Sequence, residues 1–176
     1  MNKPYKVFVL LYCISLLYAG CKKEEEIDKL PPATASGLGT FGCLINGKAW
    51  PNGVQGEHIL DAFYYQGKMW VGYTIRDTKT MDIIESVDMQ SCEIKKPGQY
   101  FLAMNDIKIN QFAVGYQGFN YLSGHVLNLN NYAYMNITRF DTVNYIISGT
   151  FSFSMYDLTG THQIKIDKGR FDINYF

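Results

Sequence analysis

Glu57, His58 and Asp61 bring two carboxylates and an imidazole within five residues. If that segment formed one turn of helix, the three could converge on a metal ion; a solvated loop accounts for them equally. The other histidines, His125 and His162, are dispersed, and none of the three sits in the paired-histidine spacing of a zinc hydrolase. Glu85 stands out because it interrupts an apolar series of Met81, Ile83, Val87 and Met89. An acid set among apolar neighbours has a shifted pKa and can have a role, although a hydrogen-bonded structural acid fits the pattern too. With Glu57, Asp61 and Asp88 it completes the acids from which a sugar-hydrolysing pair could be drawn. The sequence holds no GxSxG elbow, phosphate-binding glycine loop, dinucleotide fingerprint or EF-hand loop. No catalytic residue, metal or cofactor is therefore expected.

Aromatic side chains are the other chemical resource. The chain has 14 Tyr and 11 Phe, clustered at Phe63-Tyr64-Tyr65, from Trp70 to Tyr73 and from Tyr116 to Tyr121. Exposed rings in a row can stack on sugar faces or anchor a protein interface. Core and cross-strand pairs use the same residues. Trp70, Tyr116, Phe119 and Tyr121 are the candidate ligand-binding positions.

These residues lie in segments of period two. From Tyr145 to Met155 the odd positions read Tyr145, Ile147, Gly149, Phe151, Phe153 and Met155, while Ser148, Thr150, Ser152 and Ser154 alternate with them. That is a strand with one buried face. Met69, Val71, Tyr73 and Ile75 share a second such face, and Ile164 with Ile166 and Phe171 with Ile173 and Tyr175 supply further ones. Turn signals fall at Asn46-Gly47, Gln66-Gly67, Pro97-Gly98, Asp157 to Gly160 and Lys168-Gly169. The pattern predicts an all-β domain over residues 40–176, an antiparallel sandwich of about ten short strands, with a lipocalin-like flattened barrel as the alternative. A terminal Phe176 after alternating apolar residues also occurs in outer-membrane barrels. The short segment from His162 to Asp167 and the acid at position 85 argue against strands that span a membrane.

The 176 residues suit one domain. Lys+Arg and Asp+Glu balance at 16 each, so no basic field exists to attract nucleic acid. Met1 to Lys6 is positively charged, and Val7 to Ala19 is mainly apolar. Such a run is a signal-peptide core, too short for a membrane span of about 20 residues. It leads into Leu17-Tyr18-Ala19-Gly20-Cys21, which resembles the lipobox of lipoprotein signal peptidase. One departure is Tyr18 where the usual Leu would stand. Residues 1–20 are thus expected to be a signal peptide, and Cys21 to carry lipid that holds the chain to the membrane. Lys22-Lys23-Glu24-Glu25-Glu26 resembles the signal that sends Bacteroidota lipoproteins to the cell surface; the periplasmic face of the outer membrane is the alternative. Residues 21–39 are expected to be the lipidated cysteine and a flexible tether, reaching at most about 60 Å.

Cys13 falls within the leader, leaving Cys43 and Cys92 as one disulfide pair or two buried thiols. A bond would stabilise the fold by about 4 kcal/mol in the chain-entropy model.

The stretches Leu30-Pro31-Pro32-Ala33-Thr34 and Thr40-Phe41-Gly42-Cys43-Leu44-Ile45-Asn46-Gly47-Lys48 resemble the start of a Bacteroidota lipoprotein family of unknown function. Ile147-Ser148-Gly149-Thr150-Phe151-Ser152-Phe153 and Gly169-Arg170-Phe171-Asp172 resemble its end. The resemblance implies an anchored all-β protein and supplies no catalytic residue. Asp141-Thr142-Val143 similarly resembles the short O-glycosylation sequon of secreted Bacteroidota proteins; a plain turn explains it as well. The expected function is a non-catalytic binding module for a glycan, a protein or another envelope component. The alternatives are a carrier of a small apolar ligand and a glycan hydrolase built from scattered carboxylates.

Overall fold

A computed structural model of the chain describes residues 25–91, 94–102, 112–117, 126–127, 133–156 and 161–176. The strands are β1 (Thr40–Ile45), β2 (Lys48–Trp50), β3 (Glu57–Tyr65), β4 (Lys68–Arg76), β5 (Ile83–Ser91), β6 (Gly98–Leu102), β7 (Phe112–Gln117), β8 (Val126–Leu127), β9 (Ala133–Asp141), β10 (Ile146–Tyr156) and β11 (Gln163–Asn174). All described pairings are antiparallel. One sheet has seven strands in the order β2-β1-β11-β10-β9-β6, with β8 pairing the far end of β10; the other has four, in the order β3-β4-β5-β7. The sheets are open, so the sandwich forms and the lipocalin-like barrel does not.

Local sequence explains most of this. Asn46-Gly47 and Gln66-Gly67 both place two successive residues at positive φ, the geometry of tight hairpin turns. Met69, Val71 and Ile75 point inward from β4, and Ile147, Phe151, Phe153 and Met155 from β10. Tyr145 leaves the strand pattern, because it adopts positive φ in the turn before β10 and is exposed. Met81 likewise sits at positive φ outside β5, and a register shift near Ile83 ends the face expected there.

Aromatic pairs join the sheets at both ends. Tyr73 on β4 meets Phe41 at 5.5 Å and Trp50 at 5.4 Å. Tyr64 on β3 meets Phe140 at 4.8 Å and Tyr175 at 5.6 Å. The chain end adds backbone bonds: Phe176 N–H donates to Ala62 O at 3.3 Å, and Tyr64 N–H donates to Phe176 O at 3.0 Å. These cover part of the β3 edge, which would otherwise offer unpaired groups to another strand.

Two expectations need correction. Residues 25–39 are not a free tether. Glu26–Lys29 form a 3-10 turn, Leu30 is buried, and Pro31 packs over Gly42. The segment then crosses the outer face of the seven-stranded sheet. Asp172 accepts there from Thr34 Oγ1 at 2.6 Å, from the backbone N–H of Ser36, Gly37 and Leu38 at 2.9, 2.7 and 3.3 Å, and from Ser148 Oγ at 2.6 Å. Arg170 Nη1 donates to Pro31 O at 3.0 Å and Arg139 Nη1 to Ala35 O at 2.5 Å. Small, turn-prone residues read as linker, but their free backbone N–H groups are what a buried carboxylate can bind. Only residues 22–24 separate Cys21 from this strap, a reach of roughly 14 Å.

Lys168-Gly169, expected as a turn between strands, is a bulge inside the 12-residue β11. Pairing with β10 slips between Phe151 and Phe153, and pairing with β1 slips between Gly42 and Leu44. Lys168 takes φ 52°, and Gly169 lies under the Phe151 ring, where no side chain fits.

Candidate functional site

Glu85 is the polar residue that the apolar pattern singled out, and its role is structural. It faces inward from β5 and accepts a hydrogen bond from Trp50 Nε1 on β2, in the opposite sheet. The bond satisfies an indole N–H that burial would otherwise orphan. Glu85→Ala is expected to lower stability by about 1–3 kcal/mol, read from the urea midpoint, whereas Glu85→Gln keeps an acceptor and loses less. Equal losses in the two variants would remove this role.

The Glu57, His58 and Asp61 group does not form a metal site. In a strand, Glu57 and Asp61 point to one face and His58 to the other. Both His58 ring nitrogens are engaged, Nδ1 with Tyr73 Oη at 3.0 Å and Nε2 with Val54 O at 3.1 Å. Among the described residues no group of three or more His, Cys, Asp or Glu could hold a metal ion. No helix among them is long and apolar enough to cross a membrane.

Cys43 is a free, fully buried thiol. Burial, with Asp167 and Glu85 nearby, pushes its pKa far up, so it is inert at neutral pH. Cys92, the other half of the expected pair, lies outside the described residues, as do Cys21, Phe119, Tyr121 and His125.

Trp70 is described, and it lies on the outer face of the four-stranded sheet. The register builds that face in rows: Phe63 beside Trp70 beside Gln90, then Asp61 beside Gly72 beside Asp88, then Ile59 beside Thr74 beside Ser86. Trp70 leans along its own strand over Gly72, filling the space a Cβ would need. Gly72 is thus the residue that lets the indole lie down on the sheet, a signal that a lone strand glycine could have given. Phe63 and Tyr65 are exposed at 51% and 59%, with ring centroids 6.4 Å apart. Burial raises the Asp88 carboxyl above its usual range. No hydrogen-bond or ion-pair partner for Asp88 occurs among the described residues. Tyr116 lies on β7 at the register position opposite Val87.

No family model matches this chain, nor does any curated protein or solved structure. What the protein does must therefore be argued from this geometry. These rows and the neighbouring Tyr65 combine three exposed or half-buried rings with two carboxylates that can accept hydrogen bonds from hydroxyls, and Lys68 and Arg76 fall on the same face at the two ends of β4.

Asp141-Thr142-Val143 sits at the β9–β10 turn, where Thr142 and Val143 are exposed. Asp141 Oδ1 accepts from Val143 N at 3.0 Å and Asn144 N at 2.9 Å, so turn chemistry accounts for the acid.

Proposed function

We propose that this chain is a non-catalytic, lipid-anchored module of the outer membrane, displayed at the cell surface, that binds a neutral glycan on the outer face of its four-stranded sheet. The carrying observation is Trp70 laid over Gly72 between Asp61 and Asp88, with Phe63 and Tyr65 exposed beside it. Rings stack on the C–H faces of sugars, and carboxylates accept their hydroxyl protons. Glu57, Asp61 and Asp88 outnumber Lys68 and Arg76 on this face, a balance that disfavours an anionic glycan. The strap supports the same reading, since it docks on the opposite outer face of the sandwich. A short leash on that side leaves the aromatic face pointing away from the anchor. The anchor itself rests on Cys21 and on the likeness to Bacteroidota lipoproteins.

The test is calorimetric titration of the full chain with soluble neutral oligosaccharides, with tryptophan fluorescence of the wild type as a second readout. Trp50 is buried against Glu85, so a change on binding reports Trp70. Trp70→Ala is expected to weaken binding at least tenfold, about 1.4 kcal/mol. Gly72→Ala should also weaken it, because the added methyl displaces the ring without removing it. Affinity unchanged in both variants would sink the proposal.

One observation favours a second reading, hydrolysis. Asp61 and Asp88 lie two strands apart on one face, with backbones roughly 10 Å apart, and burial raises the Asp88 carboxyl. An acid and a base held in different environments are what inverting hydrolysis needs. Release of reducing ends from the bound glycan, lost in Asp88→Asn, would replace binding with catalysis.

A further inference from the structure

We infer that the outer face of the seven-stranded sheet carries a second binding site, for a phosphate ester, in the cleft between the strap and the β11 bulge. The cleft encloses about 600 Å³, within the range of small-molecule sites. Ala33 of the strap forms one wall; Lys165, Lys168, Arg170, Thr150, Ser152 and Tyr134 supply its chemistry. Three cations face one acid, Asp167, so the cleft is positive where the aromatic face is acidic.

The bulge creates this arrangement. Lys168 falls where β11 loses register with both neighbours and Asp167 where it loses register with β10, and Lys168 holds a left-handed conformation that a lysine adopts only at a cost. Such irregularities re-aim side chains and recur beside functional sites. Lys168 is exposed, and among the described residues nothing pairs with its ammonium group. Lys165 Nζ is held by Asp167 Oδ2 at 2.6 Å. Arg170 gives Nη1 to Pro31 O and Nε to Lys168 O, using only part of its five N–H donors. Thr150 stands directly across from Arg170 in the register.

Asp167 and Tyr134 favour the ester over bare phosphate. Asp167 Oδ1 is buried without a hydrogen-bond partner among the described residues, so the carboxylate meets the cleft through Oδ2, beside Lys165. An ester adds polyol hydroxyls that Oδ2 and the Tyr134 hydroxyl can bind, which bare phosphate lacks. A phosphate on a polyol thus matches both halves of the cleft: oxyanion to the cations, hydroxyls to Asp167 and Tyr134. Sugar phosphates and glycerophosphate lipid headgroups share that chemistry.

The test is calorimetric titration of the full chain with hexose 6-phosphate, glycerol 1-phosphate, inorganic phosphate and unphosphorylated hexose. At least one ester should bind, more tightly than inorganic phosphate, with the neutral hexose failing once Trp70→Ala has removed the glycan face. Lys168→Gln should weaken ester binding at least about fivefold, and Lys168→Arg should restore most of it. Preference for the hexose ester assigns a soluble sugar phosphate; preference for the glycerol ester assigns a lipid headgroup. No ester binding at millimolar concentration, a neutral hexose that binds the Trp70→Ala variant as tightly as the ester does, or Lys168→Gln binding like the wild type would each overturn the site. Trp70→Ala should leave it unchanged, which separates it from the glycan face.

Discussion

Asp172→Ala is expected to destabilise the domain by about 3–5 kcal/mol and to release the strap. Asp172 is 1% exposed and its carboxylate accepts from five donors, four of them in residues 34–38. Removing it leaves buried N–H and O–H groups with nothing to bind, which costs far more than losing a solvated contact. Burial alone would raise the carboxyl pKa. The hydrogen bonds from Ser148, Thr34, Ser36 and Gly37 outweigh burial and hold it well below the usual carboxylate range.

The sign of the pH dependence follows. A depressed pKa in the folded state contributes stability above the unfolded value of about 3.9, and that stability is lost as pH falls towards the folded pKa. Wild-type protein should therefore weaken progressively below about pH 4, while Asp172→Ala, already lacking the term, should show a smaller drop. Urea midpoints at pH 7, 4 and 2.5 measure this. Limited trypsin digestion provides a local readout, with cleavage after Lys29 faster in the variant. A loss under about 1 kcal/mol at pH 7 would show that the strap is held by other contacts.

Gly169→Ala carries the second large effect, a loss of about 2–3 kcal/mol. A Cβ at position 169 would land against the Phe151 ring, closer than carbon atoms approach in real structures. That ring cannot retreat. Phe151 is 1% exposed and packs on Phe41 at 5.3 Å, Phe153 at 6.1 Å and Phe171 at 6.3 Å. Gly72→Ala is the matched control, since it also meets a ring, but Trp70 lies on an outer face and can swing into solvent. For a domain of this size each kcal/mol lowers Tm by roughly 3 °C. Gly169→Ala should melt at least about 6 °C below the wild type, and Gly72→Ala within about 3 °C of it. Equal melting temperatures would mean the β11 bulge absorbs the methyl group.

The two glycines show why the sites were only partly legible. In the sequence, Gly72 is one small residue alternating with an apolar face, and Gly169 reads as half of a turn. The ring above Gly72 comes from two positions earlier on its own strand, and the ring above Gly169 from its register partner on β10. Glu85 was conspicuous because it broke a periodic pattern, yet the pattern could not say that Trp50 waited across the core. Trp70 was recognised by its type, whereas Asp61 and Asp88 became its neighbours only through pairing with β3 and β5.

Alternation of apolar and hydroxylated residues was enough to determine the class of fold, because a strand's side chains reverse face at each step and burial acts on one face at a time. Asn-Gly and Gln-Gly pairs determined two hairpins for an equally local reason, the positive φ that such turns require. What covers the outer faces was decided only in three dimensions. The strap and Asp172 are 138 residues apart at Thr34, and a carboxylate's choice of donors at that separation leaves no periodic trace in the chain.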